Sequence, residues 1–234
     1  MIELRDVSLV VPASQRGDAD RSLLTDVSLQ LGERRICVIG ANGSGKSTLL
    51  RLLNGLRLPT RGTVTASGFD TASQGRQVRT RVGFIFTDPL AQLVMSTPIE
   101  DVELSLRSLI KGRTQRGARA MELLEQRGLG LLAHQSIHDL SGGERQLVAL
   151  TSVLAVEPQI IVADEPTTLL DLRNKLALRA TFAALPQQII YSTHDMDVAG
   201  DAERVIVVEA GCIVADGEPG MAIDHYERSM GARR

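Results

Sequence analysis

One nine-residue run constrains this chain more than any other feature: Gly40-Ala41-Asn42-Gly43-Ser44-Gly45-Lys46-Ser47-Thr48. It fits G-x-x-x-x-G-K-[S/T], with an apolar strand-like segment at 35–39 before it and a helical segment at 47–54 after it. Glycines let successive backbone N–H groups converge on one phosphate, at the positive end of the following helix. Lys46 adds a point charge for the β- and γ-phosphates, and the Ser47 hydroxyl is placed to ligate Mg²⁺. A glycine-rich turn with an accidental lysine would have no need of a strand on one side and a helix on the other.

The rest of the chain carries the alternation that such a unit requires. Strand-like runs at 2–11, 22–31, 35–39, 62–66, 81–86, 160–163, 188–192 and 205–209 alternate with helical stretches, the pattern of an α/β protein. The helix at 47–54 stops at Gly55, a C-terminal cap. Residues 98–128 read as a helical insertion, a helix at 143–156 returns to the core, and the tail from Pro219 holds one more helix. The runs at 160–163, 188–192 and 205–209 are apolar almost throughout, as parallel strands covered on both faces should be. The stretch 13–21 is polar and reads as flexible, and no internal repeat is evident.

Composition narrows the function. With 234 residues and 43% hydrophobic residues, the chain can bury a substantial core. Lys+Arg of 26 against Asp+Glu of 28 leaves a net charge of −2, which argues against gripping nucleic acid or anionic lipid through bulk charge. Aromatics at 3% supply no base-stacking platform. Cys37 and Cys212 have no metal-ligand spacing and read as reduced thiols. The N-terminus has no basic region ahead of an apolar stretch, so it is not read as a secretory signal, and no apolar run reaches the length of a membrane span. A membrane role is therefore expected only through partner proteins.

Four further motifs follow the phosphate loop. Leu140-Ser141-Gly142-Gly143-Glu144-Arg145-Gln146 again puts two glycines and a hydroxyl at a helix start, a second phosphate-facing arrangement. An apolar strand then ends in Asp164-Glu165-Pro166, followed by Thr168-Leu169-Leu170-Asp171, and the strand 188–192 leads into Ser192-Thr193-His194-Asp195. In this order the five motifs resemble those of ATP-binding-cassette (ABC) ATPases, and they span nearly the whole chain. The resemblance implies a P-loop NTPase fold of α/β class, with a mixed-sheet core, an antiparallel β subdomain and a helical subdomain. Residues 1–234 would form a single ATPase domain, with the helical subdomain inserted at about 88–156.

The resemblance also implies roles. Gly40 to Thr48 would cradle ATP, and Ser141, Gly142 and Gly143 would contact the nucleotide of a second ATPase subunit. Ser47 and Asp164 would hold Mg²⁺, the latter through water. Glu165 would polarise the attacking water, and His194 would sense the γ-phosphate. Two positions depart from the family pattern. Val11 falls where an aromatic residue usually stacks on adenine, so adenine contact is expected to be aliphatic there or to be supplied elsewhere. Thr87 replaces the usual Gln; its shorter side chain reaches the metal only through an intervening water, and coupling then rests on the backbone of 87–92.

Too few residues separate Lys46 from Ser141 for the long coiled coil of chromosome-associated members, and these 234 residues are read as one cassette, with neither a tandem cassette nor a fused membrane domain expected. A stand-alone transporter ATPase remains, peripheral on the cytoplasmic face of the cell membrane. The stretch Asp88-Pro89-Leu90-Ala91-Gln92-Leu93-Val94 resembles that of energy-coupling-factor (ECF) importers. The short end after the last strand pair is most like the ATPases of biotin importers. The partners implied are integral-membrane ECF transmembrane and substrate-binding subunits. The rival readings are the ATPase of another importer, for metals or amino acids, and a non-transport regulatory ATPase. Only three lysines stand against 23 arginines, a bias compatible with a GC-rich genome.

Overall fold

A computed structural model describes residues 1–12 and 19–231. Residues 13–18, most of the stretch read as flexible, lie outside the described residues. Six strands form the central sheet: β3 (Arg35–Ile39), β6 (Val82–Ile85), β7 (Ile160–Ala163), β8 (Gln188–Ser192), β9 (Arg204–Glu209) and β10 (Cys212–Gly217), in the order β10-β9-β3-β8-β7-β6. All neighbours are parallel except the edge strand β10, which runs antiparallel to β9. A second, antiparallel sheet has the order β2-β1-β4-β5, from β1 (Ile2–Val11), β2 (Arg21–Leu31), β4 (Arg61–Ala66) and β5 (Phe69–Asp70). This is the α/β P-loop architecture with its mixed and antiparallel sheets.

Strand period decides how the layers meet. On β3, Ile36 and Val38 pack toward the antiparallel sheet and helix α1 (Lys46–Leu53), while Cys37 and Ile39 face the opposite layer. Strands β7, β8 and β9 repeat the split: Ile160, Val162, Ile190, Ile206 and Val208 lie on one side, and Ile161, Ala163, Ile189, Tyr191, Val205 and Val207 on the other. Both faces are dry, which is why these strands read as unbroken apolar runs. The opposite layer draws on α5 (Gly142–Leu154), α6 (Leu172–Ala184), α7 (Met196–Ala199) and α8 (Pro219–Gly231). A third apolar cluster, from Leu93 to Ala155, joins α3 (Pro98–Leu106) and α4 (Arg113–Glu125) to α5. Among the described residues no helix is long and apolar enough to cross a membrane.

Two of the departures from the sequence expectation are local. The strand expected over 81–86 is shorter, because α2 (Gly75–Arg81) runs directly into β6. The second difference is a short internal repeat: Asp-Val-Ser-Leu occurs at 6–9 and again at 26–29. Asp6 and Asp26 both take positive φ, near 49° and 48°, at irregularities of the β1–β2 register. The Asp6 N–H donates to Ser28 Oγ (2.9 Å) and the Asp26 N–H to Ser8 Oγ (3.0 Å), a reciprocal pair that satisfies both displaced backbones.

Candidate active site at the ends of the parallel strands

The phosphate loop leaves β3 at Gly40 and enters α1 at Gly45, which caps the helix in left-handed geometry. Gly40 has φ +149°, and a Cβ there would sit 2.2 Å from the Val208 carbonyl oxygen, so β9 presses on the loop from behind. Gly43 (φ +77°) instead has open space where a Cβ would be. Behind the loop, the Gly211 N–H donates to Ser44 O (2.8 Å) and Gly211 O accepts from the Thr25 N–H (2.9 Å). The β9–β10 turn thus braces the loop, a contribution that no spacing in the sequence announced. Gly211→Ala is expected to lower unfolding stability by about 2 kcal/mol, because φ +82° is strained for Ala and the Leu23 carbonyl oxygen lies 2.8 Å from its Cβ. A urea denaturation midpoint at the wild-type value would contradict this.

Lys46 lies 4% exposed, and its Nζ donates to the loop carbonyls of Gly40 (2.8 Å) and Ala41 (3.2 Å), with Glu165 Oε1 at 3.7 Å. Burial pushes its pKa down; the nearby carboxylates of Glu165 and Asp164 push back. With Arg21, Leu23, Asn42, Gly43, Gly45, Ser47, Thr48 and Glu165, Lys46 lines a cavity of about 190 Å³. A larger cavity, of about 480 Å³, lies beside Arg35 at the start of β3, but its chemistry is structural. There the Arg35 guanidinium donates to the main-chain oxygens of Arg34, Phe182, Leu185 and Gln187 and so closes the end of α6.

The acidic pair at the end of β7 is held by hydroxyls. Asp164 Oδ1 accepts from Ser47 Oγ and from Ser192 Oγ, each at 2.9 Å. Ser192 Oγ also accepts the Glu165 N–H at 2.9 Å, so one buried hydroxyl at the end of β8 registers both acids. The sequence reading quoted Ser192 only as the start of a motif; the signal available was its position as the last residue of an apolar strand. Glu165 has φ +48°, uncommon for a residue with a Cβ. His194 Nε2 lies 2.6 Å from Glu165 Oε1, and Thr168 Oγ1 donates to Glu165 Oε2 at 3.1 Å. Both carboxylate oxygens are therefore oriented.

The remaining candidate residues sit elsewhere. Ser141 caps α5 through a reciprocal box with Glu144: the Ser141 N–H donates to Glu144 Oε2 (2.7 Å), and the Glu144 N–H donates to Ser141 Oγ (3.3 Å). A Cβ on Gly142 would lie 3.2 Å from Leu169 O, and one on Gly143 would meet the Asn174 side chain at 2.4 Å. This loop thus packs on the segment after Glu165, and Ser141, Gly142 and Gly143 do not line the cavity around Lys46. Val11 ends β1 paired with Arg21 and does not line it either, whereas Arg21 and Leu23 do. The Thr87 hydroxyl donates to Asp164 O at 2.8 Å, which leaves it only lone pairs to offer. Gln92 bridges two elements: Oε1 accepts the Phe86 N–H (3.3 Å), and Nε2 donates to Ala149 O on α5 (3.1 Å). Thr87→Val should cost about 1 kcal/mol of stability by stripping the bond to Asp164 O, as a urea titration would measure.

An anion cradle, a buried lysine and a registered acidic pair at the C-terminal ends of parallel strands define a nucleoside-triphosphate site. The ABC transporter family model matches residues 24–168. The chain belongs to that family, as an ATPase subunit. A Deinococcus radiodurans relative is 45% identical over 230 residues, 98% of this chain and 99% of its own length. The biotin transport ATP-binding protein BioM of Rhizobium etli is 41% identical over 206 residues, covering 88% of this chain and 92% of BioM. The cobalt import ATP-binding protein CbiO of Syntrophus aciditrophicus is 37% identical over 225 residues, 94% of this chain and 79% of CbiO. Among solved structures, a dimeric ATP-binding cassette in a post-hydrolysis state, bound to ADP and Pi, superposes with a TM-score of 0.81 at 29% identity, covering 94% of this chain and 99% of that one.

Proposed function

We propose that this chain is the ATP-hydrolysing subunit of an ECF-type importer, with biotin as the first solute to test. The stretch from Asp88 to Val94 and the likeness to a biotin transport ATP-binding protein support that reading. The likeness to a cobalt import protein supports a transition-metal ion as the second solute. Uptake of labelled biotin and of cobalt by cells expressing the chain with its neighbouring membrane genes separates the two. Mass spectrometry of membrane proteins captured with the tagged chain tests the ECF assignment; capture of an ordinary importer permease instead would refute it.

The observation that carries the catalytic reading is the two-sided hold on Glu165 beside the Lys46 loop. Held by His194 and Thr168, the carboxylate is oriented to take a proton from water attacking the γ-phosphate. Lys46, now on its own loop carbonyls, exchanges them for phosphate oxygens when ATP enters. The hard oxygen donors Ser47 Oγ and Asp164 Oδ1, already 2.9 Å apart, suit Mg²⁺. Among the described residues no three His, Cys, Asp or Glu form a metal cage, and the remaining ligands of a Mg²⁺ ion would come from phosphate and water. Bound there, Mg²⁺ would neutralise charge on the β- and γ-phosphates.

The loop at Ser141, packed away from Lys46 in its own chain, is read as completing the site of a second subunit in a head-to-tail dimer. Ser141→Arg is then expected to keep ATP binding and lose turnover, and a normal rate in that variant would refute the shared site. Coupling to the membrane subunits runs through the backbone of 87–92, because Thr87 and Gln92 are committed to Asp164, Phe86 and Ala149.

A further inference from the structure

We propose that helix α6 positions His194, through two cationic rungs that grip the segment on which His194 is carried. This rests on the reading above, in which His194 holds Glu165. Lys175 and Arg179 lie one turn apart on α6 and point at the same segment. Lys175 Nζ pairs with Asp195 Oδ2, next in the chain to His194. Asp195 Oδ1 meanwhile accepts the N–H groups of Asp197 (3.0 Å) and Val198 (3.3 Å), capping α7. One carboxylate therefore anchors α7 with one oxygen and α6 with the other. At the far end of α7, the Arg179 guanidinium holds Asp201 through Nε (2.6 Å) and Nη2 (2.8 Å) and reaches Asp197 O (3.3 Å). A bidentate pair fixes direction as well as distance.

The same helix touches the other functional loop. Its first turn, capped by Asp171, carries Asn174, whose side chain fills the space beside Gly143. Asn174 and Lys175 are adjacent, so the start of α6 contacts the Ser141 loop on one side and the His194 loop on the other. Movement of α6 relative to the core must therefore reposition the ring that holds Glu165. The pair also gives a use to a rare residue: Lys175 is one of three lysines in a chain with 23 arginines. The contact takes a single carboxylate oxygen and leaves the other to cap α7.

The test uses the whole chain with MgATP. Lys175→Gln keeps length without charge, Lys175→Arg keeps charge, and Asp195→Asn keeps an oxygen acceptor for the α7 cap. Lys175→Gln and Asp195→Asn should each lower kcat about fivefold with KM within about twofold, the size expected for a half-buried pair acting on geometry. Lys175→Arg should recover the rate to within about twofold of wild type. In a His194→Ala background Lys175→Gln should cause no further loss, because its path runs through the missing ring. The protein has four histidines, so ring NMR adds an activity-free readout: Lys175→Gln should shift the His194 signal and leave the other three in place.

An unchanged kcat in Lys175→Gln, an unmoved His194 signal, or a full additional loss in the His194→Ala background would each overturn the proposal. If His194→Ala is slow while Lys175→Gln is not, only the positioning role of α6 fails. If His194→Ala turns over normally, the role assigned to His194 fails first, and this inference with it.

Discussion

Glu165→Gln should bind ATP with wild-type affinity and hydrolyse it at least about 100-fold more slowly, the low end of what a positioned general base contributes. The substitution is nearly isosteric and leaves the backbone contact from the Glu165 N–H to Ser192 Oγ in place. One amide oxygen can still accept from Thr168 or His194, so the side chain stays near its native position. It cannot take a proton from water. With binding intact and chemistry stopped, the ATP-bound form should accumulate as a dimer in size-exclusion chromatography. A rate within about threefold of wild type would place less than about 1 kcal/mol of the barrier on this carboxylate and remove it from the mechanism. The comparison with His194→Ala is informative: losing a partner of Glu165 should slow turnover less than losing the carboxylate itself.

Lys46→Ala should abolish measurable nucleotide binding, with an affinity loss of about 100-fold or more expected when a buried charge-assisted contact to phosphate is removed. The side chain is 4% exposed, and its charge faces Glu165 and, through electrostatics, Asp164. Taking the ammonium away leaves two carboxylates facing incoming phosphates, so repulsion adds to the lost attraction. The substitution also frees the carbonyls of Gly40 and Ala41, so part of the effect is loop disorder. Lys46→Arg separates these causes, because it keeps the charge but is too bulky for the loop. Titration with a fluorescent ATP analogue reads both variants, and near-native affinity in Lys46→Ala would mean that the backbone N–H groups alone hold the phosphate.

Elements whose burial is uniform were legible from the amino-acid order. The strands at 35–39, 160–163 and 188–192 coincide with the observed bounds, because apolar residues on both faces leave a run without interruption. Helix α6 and strand β10 were not legible. In α6 only Leu178 and Phe182 are buried, while Leu172 and Leu176 are exposed, so no apolar stripe advertises the helix. Strand β10 has no buried residue and exists because β9 offers an edge to pair with. The repeat at Asp6 and Asp26 is too short to carry statistical weight in the sequence; its meaning lies in the two backbones exchanging serine partners.

What the sequence by itself determined was local chemistry: a phosphate loop, a strand ending in two acids, a serine-capped helix start and a histidine after a strand. Glycine φ freedom, helix capping and strand burial depend on neighbours a few residues away, so spacing alone exposes them. Tertiary structure alone decided which groups meet. Ser192 lies 27 or more positions from the acids it registers, Thr87 lies 77 positions from the carbonyl it grips, and Gly211 reaches back to Ser44. Tertiary structure also separated the Ser141 loop from the Lys46 loop, although both have the chemistry of a phosphate site. Hydrogen bonds act over about 3 Å, and only the packing of the sheet and its helices brings residues so distant in the chain within that range.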